Sequence, residues 1–378
     1  MKAPHKILFA ALCLIQSLVA NVAFAQAKYS PFNYPQANGG SYGPTGIRSA
    51  GGQNVFVTGS VHPVTSPTPT PTPTPTCSPS PAPSSHGILY EGPLNGNGNW
   101  TVLDYPSSPD ITVTGTVLYG PDMLPPSDVR IVGSYTKCED EGTGVRNHGL
   151  LYEGPPEGPG MWHTIDYGGP LPPGEEVHNT IVHSTMGGLA VGNFDTDAVT
   201  GRAFVYDIAA NSWVELRKPL AISITAYGIW YNGGTSYTIA GGYSDGDPNG
   251  IDHGYLAHWD SATQHASDWT PYDFDNGPHT RIEVSHFDGI TTDNRGGYYL
   301  TGEWAGDQAG EHRLGGFFAH VPQMPHRPFG DARWRDIEYP SSVVTTGNTV
   351  FDNNVFGIYF LSGDTTFSGY IANVQGHR

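Results

Sequence analysis

The residues of this chain that could do chemistry show themselves by breaking a pattern. Segments opening with Ser or Thr recur as Ser41-Tyr42-Gly43-Pro44, Thr112-Val113-Thr114-Gly115, Thr180-Ile181-Val182-His183, Thr225-Ala226-Tyr227-Gly228 and Thr280-Arg281-Ile282-Glu283, with a looser copy near Thr345. Two copies end on Gly115 and Gly228, where others carry His183 and Glu283, and Arg281 stands two residues before the glutamate. An imidazole and a carboxylate brought together can move protons at a sugar, and a guanidinium can orient an anionic group. His183 and Glu283 are therefore the candidate acid/base pair, Arg281 their orienting cation, and His178 and His279 ligand-binding residues at the mouth of a shared channel. A polar plug in a wet channel is the plainer reading of the same residues.

A second signal is Asp245-Gly246-Asp247-Pro248-Asn249-Gly250-Ile251-Asp252. Oxygen donors at alternate positions followed by a turn glycine resemble a calcium loop, with Asp245, Asp247, Asn249 and Asp252 as the expected ligands. Pro248, and Leu256 where a glutamate would close the loop, exclude the helix-flanked form. Acidic turn chemistry explains this loop equally well, and also Glu139-Asp140-Glu141 and Asp195-Thr196-Asp197 in equivalent places. A metal site built from His178, His183 and His279 is a further alternative. The chain has no Gly-x-Ser-x-Gly elbow, no His-Glu-x-x-His motif, no phosphate-binding glycine loop and no cysteine cluster for zinc.

The elements that must position these groups are strands. An aromatic residue is followed four positions later by a polar one, and usually five later by a second aromatic, at Tyr29/Asn33/Tyr34, Trp100/Asp104/Tyr105, Trp162/Asp166/Tyr167, Trp213/Arg217, Trp269/Asp273/Phe274 and Trp334/Glu338/Tyr339. A period of roughly 50 to 70 residues carrying several short strands predicts an all-β, six-bladed β-propeller with four-stranded blades. Each repeat reads as a small-residue strand, a strand with a glycine (Gly59, Gly133, Gly192, Gly241, Gly302, Gly363), a Gly-plus-apolar strand and the aromatic strand. The chain begins with a fourth strand and ends after a third, so the N-terminal strand is expected to join the last blade and close the ring, leaving no free sheet edge. His86, His148 and His253, which recur at the start of third strands, are expected to serve the fold.

Residues 1–25 read as a secretory signal peptide, with Lys2 and Lys6 before an apolar run and Ala23-Phe24-Ala25 at the cleavage site. A single propeller domain is expected over 26–376, secreted or periplasmic, monomeric, without a membrane span. The formal charge of −18 becomes more negative once the two leader lysines are gone, which excludes nucleic acid as an expected partner. Alternating Thr and Pro in the insertion at 66–85 favour a solvated polyproline helix between two strands. Cys77 and Cys138 precede equivalent segments of consecutive repeats, and in an oxidising compartment a disulfide between them is expected.

Val132-Gly133-Ser134-Tyr135, His148-Gly149-Leu150-Leu151-Tyr152 and Trp162-His163-Thr164-Ile165-Asp166-Tyr167 together resemble the HAF-type repeats of bacterial extracellular proteins. Gly149 departs from the family's alanine, and the histidine is missing before Gly201 and Gly315. The resemblance implies a secreted propeller, and the family supplies no agreed activity or catalytic residues to transfer. The expected function is binding of an extracellular glycan or protein on the channel face. The alternative is a carbohydrate-active hydrolase or lyase with its active site in the channel. Calcium is the one expected cofactor.

Overall fold

The computed structural model describes residues 27–63, 83–246, 250–275, 277, 280–308 and 310–374. Among them the regular elements are strands, apart from a 3-10 turn at Cys138–Asp140. The chain opens with β1 (Lys28–Pro31). The first antiparallel unit is β2 (Ser41–Gly51), β3 (Asn54–His62), β4 (His86–Pro93) and β5 (Asn99–Val102), and the second is β6 (Val113–Leu124), β7 (Asp128–Lys137), β8 (His148–Gly154) and β9 (Met161–Thr164). The third is β10 (Val177–Met186), β11 (Leu189–Thr196), β12 (Arg202–Asp207) and β13 (Ser212–Leu216). In the fourth, the first strand is broken into β14 (Ser223–Ile224) and β15 (Gly228–Gly233), followed by β16 (Ser236–Ser244), β17 (Asp252–Asp260) and β18 (His265–Tyr272). The fifth contains β19 (Thr280–Thr292), β20 (Tyr298–Gln308), β21 (Glu311–Val321) and β22 (Arg333–Ile337). The last has a broken first strand, β23 (Ser342–Thr345) and β24 (Thr349–Phe351), then β25 (Asn354–Leu361) and β26 (Ser368–Asn373), and β1 pairs antiparallel with β26 as its outer strand. A single parallel bridge from Asp252 to Val284 links the fourth and fifth units into one nine-stranded sheet. The protein is thus all-β and propeller-like.

Burial explains the strand order. β3, with Val55, Phe56, Val57, Thr58, Gly59, Ser60 and Val61 in succession, is buried on both faces, whereas the fourth strand β9 is mostly exposed. A strand covered on both sides tolerates a continuous apolar run and an outer strand does not. Each hydrophobic core lies between neighbouring units: Leu89 and Val57 of the first unit meet Leu118 or Phe356 on either side, and Phe318 of the fifth packs with Val350 and Tyr370 of the last. First strands touch in cyclic order, β2 with β6, β6 with β10, β10 with β15, β15 with β19, β19 with β24 and β24 with β2.

The repeated aromatic and polar residues have separable jobs. Trp100 and Trp162 pack on Tyr90 and Tyr152 of their own third strands, each pair 4.8 Å between ring centroids, a contact worth about 0.5–1.5 kcal/mol beyond its area. Four residues on, Asp104 and Asp166 accept the backbone N–H of Gly87 and Gly149 and meet the Nδ1 of His86 and His148 at 2.7 Å. Asp273 and His253 repeat this clasp at 2.7 Å. In the last unit Asn33 of the N-terminal segment takes the same place and accepts the Gly369 N–H at 2.7 Å. The second-strand glycines sit where a Cβ would strike the first strand's backbone, as Gly133 does against Val117 O. In the last unit Gly357, not Gly363, fills this role, since Gly357 lies against Thr346 O and Gly363 belongs to the turn after β25 with φ 89°.

The signal peptide, most of the Pro/Thr insertion and Cys77 lie outside the described residues. Cys138 is disulfide-bonded. No helix among the described residues is long and apolar enough to cross a membrane.

Candidate functional site

The innermost strands carry irregularities at one level. Register shifts fall between Pro44 and Gly46, Leu118 and Pro121, Val182 and Ser184, and Phe287 and Gly289, while the first strands of the fourth and last units are interrupted at Thr225–Tyr227 and Thr346–Asn348. The residue before each shift in β2, β6, β10 and β19 pairs with a second-strand glycine: Pro44 with Gly59, Leu118 with Gly133, Val182 with Gly192 and Phe287 with Gly302. A bulge re-aims its extra side chain and frees backbone groups from the ladder. Thr45, Tyr119, His183 and Asp288 are the extra residues, with Tyr227 at the equivalent break.

A small residue follows each of these, namely Gly46, Gly120, Ser184, Gly228 and Gly289. At Gly46 a Cβ would collide with Tyr119 O of the next unit, and at Gly120 it would come within 2.6 Å of the Ser184 Cα. Neighbouring first strands therefore touch backbone to backbone, and the freed carbonyls are met from across the gap. Thr45 Oγ1 donates to Leu118 O, Thr58 Oγ1 to Tyr119 O, and Asn348 Nδ2 to Pro44 O at 2.9 Å.

Tyr119, His183, Tyr227 and Asp288 form a continuous cluster with His286. The His183 ring stacks on Tyr227 at 3.7 Å, with Tyr119 edge-on at 4.8 Å, and Tyr227 meets His286 edge-on at 4.4 Å. His183 Nε2 lies 2.6 Å from Asn193 Oδ1. Burial lowers the His183 pKa to about 3, aided by the neighbouring His286 and opposed by the Asn193 hydrogen bond. Its imidazole is neutral at any ordinary pH.

His286 is held at both nitrogens, Nε2 at 2.6 Å from Thr225 Oγ1 and Nδ1 at 2.7 Å from Asp288 Oδ1. Burial works against its charge, but Asp288, Glu303 and Asp252 outweigh it and raise the imidazole pKa. The same burial raises the Asp288 carboxyl, a rise that His286 opposes. Glu303 faces His286 directly across the β19–β20 pair. Burial first, then the charge of Asp288, push its pKa up to about 7 against the pull of His286. Side chains of His286 and Asp288 keep 17% and 14% of their surface, so the cluster is enclosed without being sealed. Glu303 carries no hydrogen bond from the protein among the described residues. It is the open acid of the group.

Arg48, three residues beyond its strand's bulge, crosses the centre. Its Nη2 donates to Ile229 O at 2.8 Å and Ser184 Oγ at 3.2 Å, and its guanidinium lies 5.5 Å from the Trp230 ring centroid. Those partners belong to the third and fourth units, and the fourth stands opposite the first in the cycle of contacts. Burial lowers the Arg48 pKa to about 10, offset in part by Asp122. Asp122 is raised by burial and lowered by Arg48 and by the Gly187 N–H.

The sequence-predicted residues separate. His183 belongs to the cluster, but Arg281 and Glu283 do not join it: they pair with each other at 2.5 Å on the overhang of β19, where Arg281 is exposed and Glu283 approaches His312. The expectation of a His183–Arg281–Glu283 group is corrected by register, because β19 is 13 residues long and Asp288, not Glu283, occupies the bulge equivalent to His183. His178 sits at the start of β10, its ring beside Gly144, and His279 lies outside the described residues. In the acidic loop Asp247 and Asn249 also lie outside them, while Asp252 begins β17 and contributes its charge to His286. Asp195 and Glu139 serve as turn acceptors, for the N–H groups of Gly201 and Thr112. Sequence reasoning missed Asp288, His286 and Glu303. The signal for Asp288 was the small residue Gly289 after its bulge, and for Glu303 the second-strand Gly302 before it.

No known protein family matches the chain by sequence, and neither does any curated protein. Among solved structures, a protein of unknown function from Dyadobacter fermentans DSM 18053 aligns over 92% of this chain and 98% of its own, with 8% identity and a TM-score of 0.53. An α-L-arabinanase from Penicillium chrysogenum, complexed with arabinobiose, aligns over 93% and 84% at 9% identity and a TM-score of 0.39. A family 117 glycoside hydrolase from Zobellia galactanivorans aligns over 93% and 91% at 11% identity and 0.37. The first is a match of overall fold.

Proposed function

We propose that this protein is an exported enzyme of carbohydrate chemistry, built as a closed six-bladed propeller, that cleaves a glycosidic bond at the bulge cluster of its central channel. The observation that carries the reading is Glu303, a carboxyl without a protein hydrogen bond among the described residues, set beside the His286–Asp288 pair. An acid pushed up to about 7 holds its proton in about half of the molecules at neutral pH and can give it to a leaving oxygen. Asp288, with protonated His286 as counter-ion, serves as the carboxylate that faces the developing positive charge of the sugar, and a water molecule adds to the carbon bearing that charge and returns its proton to Glu303. Tyr119 and Tyr227 offer ring faces and edges on which a sugar can rest. The six inter-unit cores and the cyclic order of first strands support the closed ring.

The second reading, a glycan-binding propeller without turnover, is favoured by the pairing of His286 at both nitrogens and of His183 at Nε2, which leaves them as fixed walls. One experiment separates the two. Wild type, Glu303→Gln and Asp288→Asn are tested on a panel of neutral oligosaccharides for binding by calorimetry and for release of reducing ends. Loss of about 10²–10⁴ in turnover with binding retained in Glu303→Gln is the expected result, in line with removal of a general acid. Saccharide binding with no turnover by the wild type would refute catalysis and leave the binding reading.

A further inference from the structure

We propose that Glu283, Asp307 and His312 form a binding site for a single divalent transition-metal ion, of which zinc is the fitting case. The site lies at the overhanging ends of β19, β20 and β21, apart from the bulge cluster, and is independent of the activity proposed above. Antiparallel register assembles it: Arg281 opposes Asp307, and Asp307 opposes His312, so three consecutive strands bring donors to one level. The register shift between Ile282 and Val284 makes Glu283 the extra residue there, turning its side chain toward the same group.

The spacing of the donors is the independent observation. One ligand atom from each residue lies within 4.8 Å of the others, and His312 Nδ1 stands 3.5 Å from Asp307 Oδ1 and 3.8 Å from Glu283 Oε2. The other histidine–carboxylate contacts among the described residues close to hydrogen bonds of 2.7 to 2.9 Å, at His86, His148, His253, His286 and His320. His312 alone is held between two carboxylates and bonded to neither. A tetrahedral ion with bonds of about 2.0–2.1 Å keeps its donors about 3.4 Å apart. The His312–Asp307 pair stands close to that at 3.5 Å, and Glu283 needs a small inward turn from 3.8 Å.

The donor chemistry also selects the metal. One imidazole with two carboxylates suits zinc and its neighbours, whereas calcium takes oxygen ligands throughout. Arg281 engages Oε1 of Glu283 at 2.5 Å, which fixes that carboxylate and leaves Oε2 facing the imidazole. The His312 side chain is 64% exposed, so water has access to the remaining coordination position.

The test uses the full exported chain without a histidine tag, titrated with zinc chloride in a calorimeter and with cobalt chloride in a spectrophotometer. One equivalent is expected to bind, cobalt giving the strong visible bands of a low-coordinate site. His312→Ala should weaken zinc binding at least tenfold, about 1.4 kcal/mol, and Glu283→Gln should do likewise. Because His312 is exposed, the metal-free His312→Ala protein should unfold at the wild-type temperature, and zinc should raise the melting temperature of the wild type only. No binding at millimolar zinc would overturn the proposal. So would binding that persists unchanged in both variants, since it would belong to other histidines.

Discussion

Replacing Glu303 by Gln removes a charge that the fold resists, so the variant should gain stability in a pH-dependent way while losing function. The carboxyl titrates near 7 in the folded protein against an ordinary 4.5, chiefly because burial disfavours the anion. Below pH 4.5 the group is protonated in both states and contributes no difference. Between 4.5 and 7 the unfolded chain releases this proton while the folded protein keeps it, so the folded state binds more protons and stability falls as pH rises. Above 7 the loss is complete, and a shift of this size corresponds to about 3 kcal/mol at most. His286 moves stability in the same direction: its raised pKa gives a contribution that is full below 6.5 and fades as pH climbs through the folded value. That contribution is present in both proteins, so the difference between them reports Glu303, apart from the share by which its anion supports His286.

Urea unfolding at a series of pH values from about 4 to about 8 measures this directly, with the slope of the transition checked for constancy. Wild type and Glu303→Gln should coincide at the acid end and diverge above neutrality, the variant being more stable by about 2–3 kcal/mol. Active sites commonly hold groups in such unfavourable settings, and their removal trades function for stability. A variant equal to or less stable than wild type at pH 8 would refute the reasoning, because the Glu303 carboxylate would then be stabilised where it sits.

Arg48→Ala should destabilise the protein by about 3 kcal/mol in the same assay, since it removes the donor to Ile229 O and Ser184 and the cation beside Asp122. Arg48→Met, of similar volume, should recover only the packing share of that loss, since it restores neither donor nor cation, and a change below about 1 kcal/mol in Arg48→Ala would show that the crossing guanidinium is not a structural tie. Deleting residues 26–36 removes β1 and the Asn33 acceptor of the last unit and should lower the melting temperature substantially, while an unchanged value would reduce β1 to a tail. Thiol labelling of unreduced protein recovered from the periplasm or medium should find neither Cys77 nor Cys138 free. Two labelled cysteines would rule out their pairing.

The repeat was legible because it is carried by residues with one job in every unit. An aromatic that stacks on the third strand and an acid that clasps the third-strand histidine must recur at fixed spacing, so Trp100/Asp104 and Trp162/Asp166 announce their units without reference to the rest of the fold. Strand pairing at the joint was legible for the same reason: Asn33 repeats the role of Asp104 at the far end of the chain. The centre obeys a different rule. Its residues differ from unit to unit, and alignment by the opening Ser or Thr places His183 opposite Glu283, whereas the bulges place it opposite Asp288. A bulge shifts side-chain direction by one residue without changing the apolar alternation around it, so periodicity alone does not register it.

What does register it is the demand for space where neighbouring backbones meet. Thr45-Gly46, Tyr119-Gly120, His183-Ser184, Tyr227-Gly228 and Asp288-Gly289 each put a variable side chain before a residue small enough for the adjacent strand to pass. The small residue is fixed by packing, and the one before it is therefore free to carry chemistry. In a cyclic arrangement of inner strands these free positions face one another, although they are scattered over more than half of the chain. Glu303 joins them from the second strand, next to Gly302, whose lack of a side chain lets β20 approach the His286 backbone closely enough to bring the two titrating groups together. The glycines of this protein thus mark both where its strands crowd and where its reactive groups converge.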